Sequence, residues 1–565
     1  MFSYFKLLVV CSTLLQISAQ VFGQLSPEQA LSSMQVVPGL QLQLFAHEPM
    51  FTNPTCIDVD ERGRVWVCES VNYRWKLLKR KTPNRSEGDR IVILEDTNGD
   101  GQADKATTFY QAPDFLAPLG IAVAKNPVGP GYKVYVCHSP HLYVFEDKDG
   151  DGQADGPPEI LLTGFGGFDH DHGIHGIHFG PEGKLYFSVG DQGVKHLFSA
   201  NGKNKEPKPG EKIWNTNNTD CQAGTIWRCN TDGTELELLA HNFRNQYEPA
   251  VNSSGTMFTS DNDDDGNQQT RICHVMYGGN YGYWPRNRGD HHWHEDQPGI
   301  VHKTLRTGFG SPTGMCWYEG KLLFGAFSAL LPAKRKPGVA SPYEGFLLHT
   351  DAGPREVRLF GVRPQGAGYA LDKVVLLTTD DNWFRPSDVC VAPDGSILVA
   401  DWYDPGVGGH GMGDTSRGRI YRLTTKSPVV LGDSARRSEP LPSWIQRFTS
   451  PNLATRQMEL QRGRESGRDV SAELKNLGSN RLLSLDQLKR EFDAAHAREW
   501  LISYRSTEIN LMIEPFWALA KHFDGQDRTY LSALNIALGS DPVRRAAIGT
   551  IEQPGWFGNY SHPKW

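Results

Sequence analysis

Two short segments of this sequence place aspartates at every second position before a glycine, which is the spacing of a calcium-binding loop. They are EDTNGDGQAD, beginning at Glu95, and EDKDGDGQAD, beginning at Glu146. Oxygen donors at alternate positions around a tight turn can surround a hard cation such as Ca²⁺. The runs before the loops, RIVIL and HLYVF, have the character of strands, and the closing glutamate of an EF-hand is absent. We predict calcium-clamped hairpins, with unoccupied acidic turns or a catalytic role as alternatives; the predicted ligands are Asp96, Asn98, Asp100, Asp104, Asp147, Asp149, Asp151 and Asp155.

A third acidic loop, SDNDDDGNQQTR at residues 260–271, directly follows a strand-like run and is denser in carboxylates. Aspartates again occupy every second position. Hard oxygen ligands of this kind favour calcium. We predict Asp261, Asp263 and Asp265 as ligands of a further Ca²⁺.

Histidines are concentrated in two segments that could bind a metal. His170, His172, His175 and His178 lie close together, and a second group is found in GDHHWHED at 289–296. On a strand, alternate residues share one face, so His170 and His172 could hold a transition metal. The alternative is that they are hydrogen-bonded structural histidines.

One pattern that could position these residues recurs six times: a short apolar strand, a polar turn with glycine, and a second apolar strand. The copies lie at 56–70, 120–139, 176–191, 249–263, 313–326 and 389–404. Such repeated strand pairs are typical of the blades of a propeller. We predict an all-β six-bladed β-propeller over residues 24–430.

Residues 431–565 have a different character. Apolar residues recur there at helical spacing, as in SLDQLKREFDAAHAREWLI. Paired helices of this kind resemble a HEAT-type α-solenoid. We predict a C-terminal α-helical, HEAT-like region, which we expect to be truncated because no capping helix is evident.

Residues 1–23 have the features of a secretory signal peptide: one lysine, an apolar run and then small residues. We therefore expect an exported protein, periplasmic or extracellular, with peripheral membrane association left open. The net charge is −7 and the longest basic run is KLLKRK at 76–81. This balance does not favour nucleic acid as a partner.

The nine cysteines leave an even number once Cys11 is removed with the signal peptide. Cys56 and Cys68 flank a turn and could form a cross-strand disulfide, while Cys221 and Cys229 bracket another strand. Buried free thiols are the alternative. No CxxC or CxxCH is present, which excludes a zinc ribbon and a c-type haem attachment site.

Three separated segments together resemble the motifs of one protein family. DHDHGIHGIHFGPEGKLYFSVGDQG at 169–193 resembles the base-bearing segment of the quinoprotein glucose/sorbosone dehydrogenases, and HNFRNQYEPAV at 241–251 resembles their Arg-Asn segment. GGNYGYWP at 278–285 looks like the GGNYGWP signature with one residue inserted. The segments follow the family's order. The chain is most similar to secreted "membrane-bound dehydrogenase"-type propellers of bacteria, which pair the propeller with helical repeats and often a c-type cytochrome.

The resemblance implies a pyrroloquinoline quinone (PQQ) site at one end of the propeller and oxidation of a sugar or alcohol hydroxyl. His172, oriented by Asp171, would take the hydroxyl proton while hydride moves to the quinone. Arg244 would offset charge on the quinone oxygen, and calcium would polarise the cofactor. A c-type cytochrome is the implied electron acceptor. The implied cofactor contacts are Gln192, Arg244, Asn245 and Arg385.

Two other functions remain open at this stage. One is a non-catalytic, calcium-stabilised propeller that binds polysaccharide or protein. The other is a calcium-dependent lactonase or hydrolase, which would use carboxylates and a central metal in place of a quinone.

Overall fold

The computed structural model describes residues 23–426, with short internal gaps. The predicted helical region at 431–565 and the predicted signal peptide, except Gly23, lie outside the described residues. The gaps are 127–128, 168–169, 171, 181–182, 201–206, 208–209, 217–222, 253–254, 263–268, 284–293, 296–299, 321, 332–342 and 367.

Six sheets of four or five strands form the fold, one for each predicted blade. The described chain begins with α1 (Pro27–Ser33), β1 (Met34–Val36) and β2 (Leu40–His47). Blade 1 contains β3 (Pro54–Val59), β4 (Val65–Glu69), β5 (Arg90–Glu95) and β6 (Lys105–Gln111). Blade 2 contains β7 (Gly120–Lys125), β8 (Tyr132–His138), β9 (His141–Asp147), β10 (Glu159–Phe165) and the later β13 (Val194–Ser199).

The next two blades carry most of the predicted site residues. Blade 3 contains β11 (Ile174–Phe179), β12 (Leu185–Val189), β14 (Gly224–Cys229), β15 (Glu237–Phe243) and the short β19 (Gly279–Asn280). Blade 4 contains β16 (Gln246–Val251), β17 (Met257–Asp261), β18 (Thr270–Val275) and β20 (Leu305–Gly308).

The last two blades include the N-terminal strands. Blade 5 contains β21 (Pro312–Tyr318), β22 (Gly345–Asp351), β23 (Glu356–Gln365) and β24 (Gly368–Thr379), with β1 at its edge. Blade 6 contains β25 (Pro386–Val391), β26 (Ile397–Asp401) and β27 (Arg419–Thr425), with β2 as its outer strand. A 3₁₀ turn lies at Val407–Gly409.

The ring closes because β2, from the N-terminal part of the chain, pairs antiparallel with β27. The first strands of the blades pack side by side around the axis, and β25 of blade 6 lies against β3 of blade 1. Apolar side chains of neighbouring blades form the core between them, as where Ile57 of blade 1 clusters with Leu398 of blade 6. The predicted six-bladed propeller is confirmed in this architecture.

The predicted second strand of the fifth copy is wrong. The run after Gly320 forms the helix α2 (Phe324–Leu330), and the second strand of blade 5 is β22. A short apolar run has no periodicity that separates a strand from a buried helix. Here Phe327 is buried against Tyr318 and Phe346, so packing decides the conformation.

In four blades, the last residue of the second strand is an aspartate or glutamate. Its side chain binds the backbone of the segment that leads into the first strand of the same blade. Glu69, Asp261, Asp351 and Asp401 occupy the same register position, opposite the first residue of the inner strand. Their oxygens accept backbone N–H groups just before that strand, as Asp351 does from Ser311. Blade 3 has Val189 at this position.

Cys56 and Cys68, opposite each other in blade 1, are free buried thiols, so the structure favours thiols over the disulfide. Cys229 is also a buried free thiol, and Cys221 lies outside the described residues. Within the described residues, no helix is long and apolar enough to cross a membrane.

Candidate active site

A cavity of about 220 Å³ lies at the axis, at the end of the propeller where the first strands begin and the second strands end. Tyr247 spans the axis there, because its hydroxyl donates to the carbonyl oxygens of Thr55 and Leu119 at 3.3 and 3.2 Å. The imidazole of His175 stacks on its ring at 5.2 Å. Each blade contributes at least one lining residue from the beginning of its first strand, and these include Thr55, Leu119, His175, Tyr247, Thr313 and Ser387.

The lining of this cavity is cationic. Its described residues include three arginines, Arg74, Arg244 and Arg385, and no carboxylate. The chain as a whole carries a net charge of −7. A cavity lined by cations in an acidic protein is complementary to an anionic ligand.

His172 lines this cavity and is paired with Asp191, which is not itself among the lining residues. The Nδ1 atom of His172 lies 2.5 Å from an oxygen of Asp191, and the hydroxyl of Tyr283 donates to the other oxygen at 3.3 Å. Burial acts to raise the pKa of Asp191, but the hydrogen bond and charge of His172, with the charge of Arg244, lower it below its usual value. Asp191 is therefore a carboxylate that orients the imidazole and leaves Nε2 as the proton acceptor.

Asp191 is a residue that the sequence reasoning missed. Asp171, the predicted orienting acid, lies outside the described residues, and its role stays a prediction. Gln192, a predicted cofactor contact, is exposed and is not among the described residues that line the cavity. The GDQG sequence was the available signal for Asp191. It directly follows β12, which pairs with β11, and His172 directly precedes β11.

Gly190 allows these groups to approach each other. A Cβ atom there would lie 2.3 Å from the Asn245 Oδ1 and 2.9 Å from the Cα of His172. Both distances are far below van der Waals contact, so only glycine fits. Asn245 lines the cavity, and its buried Oδ1 has no hydrogen-bond partner among the described residues.

Asp261 anchors the Arg-Asn segment. It accepts the backbone N–H of Arg244 and of Asn245, and its carboxylate is paired with Arg271 at 2.8 Å. Both of its oxygens thus contact protein donors, and calcium binding by Asp261 stays a prediction. Asp263 and Asp265 lie outside the described residues.

Arg244 and Arg385 differ in what their guanidinium groups do. In the described part of the chain, the Arg244 guanidinium makes no hydrogen bond, and its charge acts on Asp191. The Arg385 guanidinium donates to the carbonyls of Phe384 and Pro405, both at 2.8 Å. Burial, with the charge of Arg355, lowers the pKa of Arg385. Arg385 thus supports the cavity wall, and its contact with a cofactor stays a prediction.

The histidines that lie close together in the sequence at 170–178 have different partners in the structure. His170 is buried edge-to-face against His138, and His178 pairs with the buried Glu248 at 2.8 Å. Among the described residues, the candidate metal groups contain no histidine. Of the GDHHWHED group, only His294 and Glu295 are described, and Glu295 pairs with Arg271 at 3.1 Å.

The two repeated acidic loops connect β5 to β6 and β9 to β10, as predicted, and none of their residues is among those that line the cavity. Asp147, Asp149 and Asp151 hold ligand oxygens within 4.8 Å of one another. In the first loop, Asp96 accepts backbone N–H groups from Gly99 and Gly101. Calcium in these loops stays a prediction; the remaining residues of the set, Asn98, Asp100, Asp104 and Asp155, lie in the same two hairpins.

The burial of His138 leads us to expect that the free energy of unfolding falls in acid. It is buried, stacks on Phe115 at 5.2 Å, and its Nε2 accepts the backbone N–H of Leu116 at 3.0 Å. Burial lowers its pKa to about 4. The pKa of histidine in the unfolded chain is about 6.5. Below that pH the unfolded state binds the proton more readily than the folded state, so the free energy of unfolding decreases progressively toward pH 4. The decrease is about 2 kcal/mol at pH 5.

We expect the variant His138→Gln, whose amide oxygen can still accept the Leu116 N–H, to flatten this part of the stability profile. Urea unfolding between pH 4 and 7 measures the slope. His196→Gln, at an exposed position in β13, is the matched control. An unchanged slope in His138→Gln would contradict the assignment.

The fold and site define a six-bladed β-propeller with a cationic cavity at its axis, lined by a histidine that is paired with an aspartate. The family model described as "Domain of unknown function (DUF7133)" matches residues 26–427, and the chain belongs to that family. No curated protein matches the chain.

Several solved structures are similar to the chain at low identity. A Thermus thermophilus protein assigned as an oxidoreductase (glucose dehydrogenase) is 17% identical, with a TM-score of 0.46, covering 68% of this chain and 100% of its own. A PQQ-bound aldose sugar dehydrogenase from Streptomyces coelicolor is 16% identical, with a TM-score of 0.43, covering 69% and 99%. The soluble aldose sugar dehydrogenase from Escherichia coli is 13% identical, with a TM-score of 0.41, covering 69% and 99%. Similarity at this level does not assign an activity.

Proposed function

We propose that this protein is an exported PQQ-type dehydrogenase that oxidises a hydroxyl of a sugar or alcohol. The observation that supports this proposal most directly is the pairing of His172 with Asp191 in a cavity that also contains Arg244 and Asn245. These residues come from two motif segments that resemble quinoprotein dehydrogenases. The pairing provides a base next to a cationic binding surface.

The residues present fit PQQ, which is planar and carries three carboxylates. Arg244 offers a guanidinium to a carboxylate, and the Oδ1 of Asn245, which has no partner among the described residues and can only accept, is available to the pyrrole N–H of PQQ. The absence of carboxylates among the described lining residues removes repulsion toward such an anion. Without carboxylates, the described lining offers a Ca²⁺ only neutral oxygens. We therefore propose that calcium binds in the hairpin loop that contains Asp147.

The chain's own residues supply acid–base chemistry and orientation. When bound, PQQ supplies an electrophilic quinone that accepts hydride from the carbon bearing the hydroxyl. His172 takes the hydroxyl proton at Nε2, because Asp191 holds Nδ1. Asp191 also stabilises the imidazolium that forms, and Arg244 offsets negative charge on the anionic ligand.

A hydrolase or lactonase on the same propeller would place carboxylates and a metal in the cavity. The described lining lacks carboxylates, which favours the dehydrogenase. We further propose a carbohydrate or alcohol substrate, a c-type cytochrome as electron acceptor, and a periplasmic or extracellular location.

Reconstitution with PQQ and Ca²⁺ tests the proposal. We expect quinone absorbance to appear on the protein, together with reduction of a redox dye in the presence of an aldose or alcohol. The absence of both signals across a broad substrate panel would overturn it. Acid release from lactones without dye reduction would identify a hydrolase instead.

A further inference from the structure

The cavity has a second wall, opposite the one that carries His172. In a ring of six blades, the junction of blades 6 and 1 faces the junction of blades 3 and 4. His172 and Arg244 come from the latter. The former contributes Tyr73 and Arg74 from the segment after β4, and Trp402 and His410 from the segment after β26.

These four side chains contact one another. The Tyr73 and Trp402 rings meet edge-to-face at 6.0 Å, and the Arg74 guanidinium carbon lies 5.3 Å from the centre of the Tyr73 ring. The Nη1 of Arg74 is 3.2 Å from the Nδ1 of His410. Gly409 packs against Tyr73, where a Cβ would come within 2.8 Å of the ring. The wall therefore presents aromatic rings with an arginine fixed beside them.

Two groups of this wall can only donate hydrogen bonds: the Arg74 guanidinium and the Trp402 Nε1–H. Trp402 is only 8% exposed, lines the cavity, and its Nε1–H has no acceptor among the described residues. Arginine has donors alone. Since no described lining residue is a carboxylate, the acceptor oxygens of an anionic ligand would meet these donors without repulsion from the described lining. Carboxylate and sulfate groups supply such oxygens with a matching charge, and Arg binds them more strongly than neutral acceptors.

We infer that the wall at the junction of blades 6 and 1 binds the anionic group of the substrate, and that the substrate is a sugar bearing a carboxylate or a sulfate. Tyr73 and Trp402 would contact the sugar ring, while Arg74 and the Trp402 Nε1–H would bind the acidic group. This inference takes its sugar ligand from the proposed function. The residues that carry it lie outside the three motif segments that suggest PQQ.

Binding of small sugars to the purified chain tests the inference without requiring turnover. Calorimetric titrations would compare glucuronate, glucose 6-sulfate and glucose, each with and without PQQ. We expect the two acidic sugars to bind at least tenfold more tightly than glucose. Arg74→Gln should weaken them roughly tenfold, because a hydrogen bond to a charged group is lost, and leave glucose unchanged. Trp402→Phe, which keeps the ring contact, should weaken them about fivefold.

His196→Gln is the control at an exposed position, and circular dichroism verifies folding of each variant. Equal binding of glucuronate and glucose, or acidic-sugar binding unchanged in both Arg74→Gln and Trp402→Phe, overturns the inference. So does a result in which both variants weaken PQQ but no acidic sugar binds. If PQQ fails to bind while the Arg74-dependent preference persists, the proposed function fails and the anion site stands. A response to only one of the two acidic sugars identifies which acidic group is recognised.

Discussion

His172→Ala is expected to lower kcat of the PQQ-reconstituted protein by about 10²- to 10⁴-fold, because a positioned general base contributes about that much. The alanine removes the cavity histidine whose Nδ1 is paired with Asp191. Steady-state dye reduction, with PQQ saturation checked by absorbance, measures the effect. PQQ affinity should change far less than kcat, since Arg244 and Asn245 remain.

Asp191→Asn supplies the matched comparison, because it preserves the shape of the side chain and removes its charge. We expect kcat to fall on the order of tenfold, since the charge-assisted hydrogen bond to His172 is lost. His196→Gln should behave as wild type. Equal rates for wild type and His172→Ala would show that another group acts as the base.

Arg271→Met is expected to lower the free energy of unfolding by about 3–5 kcal/mol, the usual cost of leaving a buried charge without its partner. Arg271 and Asp261 are both fully buried and form an ion pair at 2.8 Å, and Glu295 contacts Arg271 from the other side. Methionine fills much of the volume but offers no charge. Urea unfolding measures the loss.

Lys105→Met is the control, because it removes a cation from an exposed pair with Glu95, where the lysine is 55% exposed. Exposed ion pairs contribute about 0–1 kcal/mol, so this variant should unfold close to wild type. A loss in Arg271→Met no larger than in Lys105→Met would show that Asp261 does not depend on its partner. Asp261 also binds the backbone of Arg244 and Asn245. We therefore expect the folded Arg271→Met protein to bind PQQ more weakly than wild type.

Much of the fold could be predicted because each blade carries its own local signal. Five of the six predicted strand pairs form as expected. The remaining pair, in the fifth copy, does not form, because the run predicted as its second strand contains the helix α2. A short apolar run is compatible with either a strand or a helix. His172, Arg244 and Asn245 were correctly brought to one cavity, since each lies beside the beginning of an inner strand.

Asp191 was missed because a bulge changes the strand register beside it. Next to the hairpin turn, Ile177 lies opposite Phe187, a register that would continue to put Gln192 opposite His172. The bulge between Ile174 and Ile177 moves the register by one residue and brings Asp191 there instead. Arg74 and His410 were missed for another reason: they lie in long connections whose paths depend on tertiary packing.

The pairing of β2 with β27 also fixes an order of events during synthesis. The N-terminal strand is made first, yet its partner at Arg419–Thr425 is made last among the described strands. Until then, the backbone donors and acceptors along Leu40–His47 have no sheet to join, and an unpaired strand is a template for association with other chains. Loop closure over this separation also makes the final step slow. A nascent chain of this protein therefore depends on being kept apart from its neighbours until its last blade is complete.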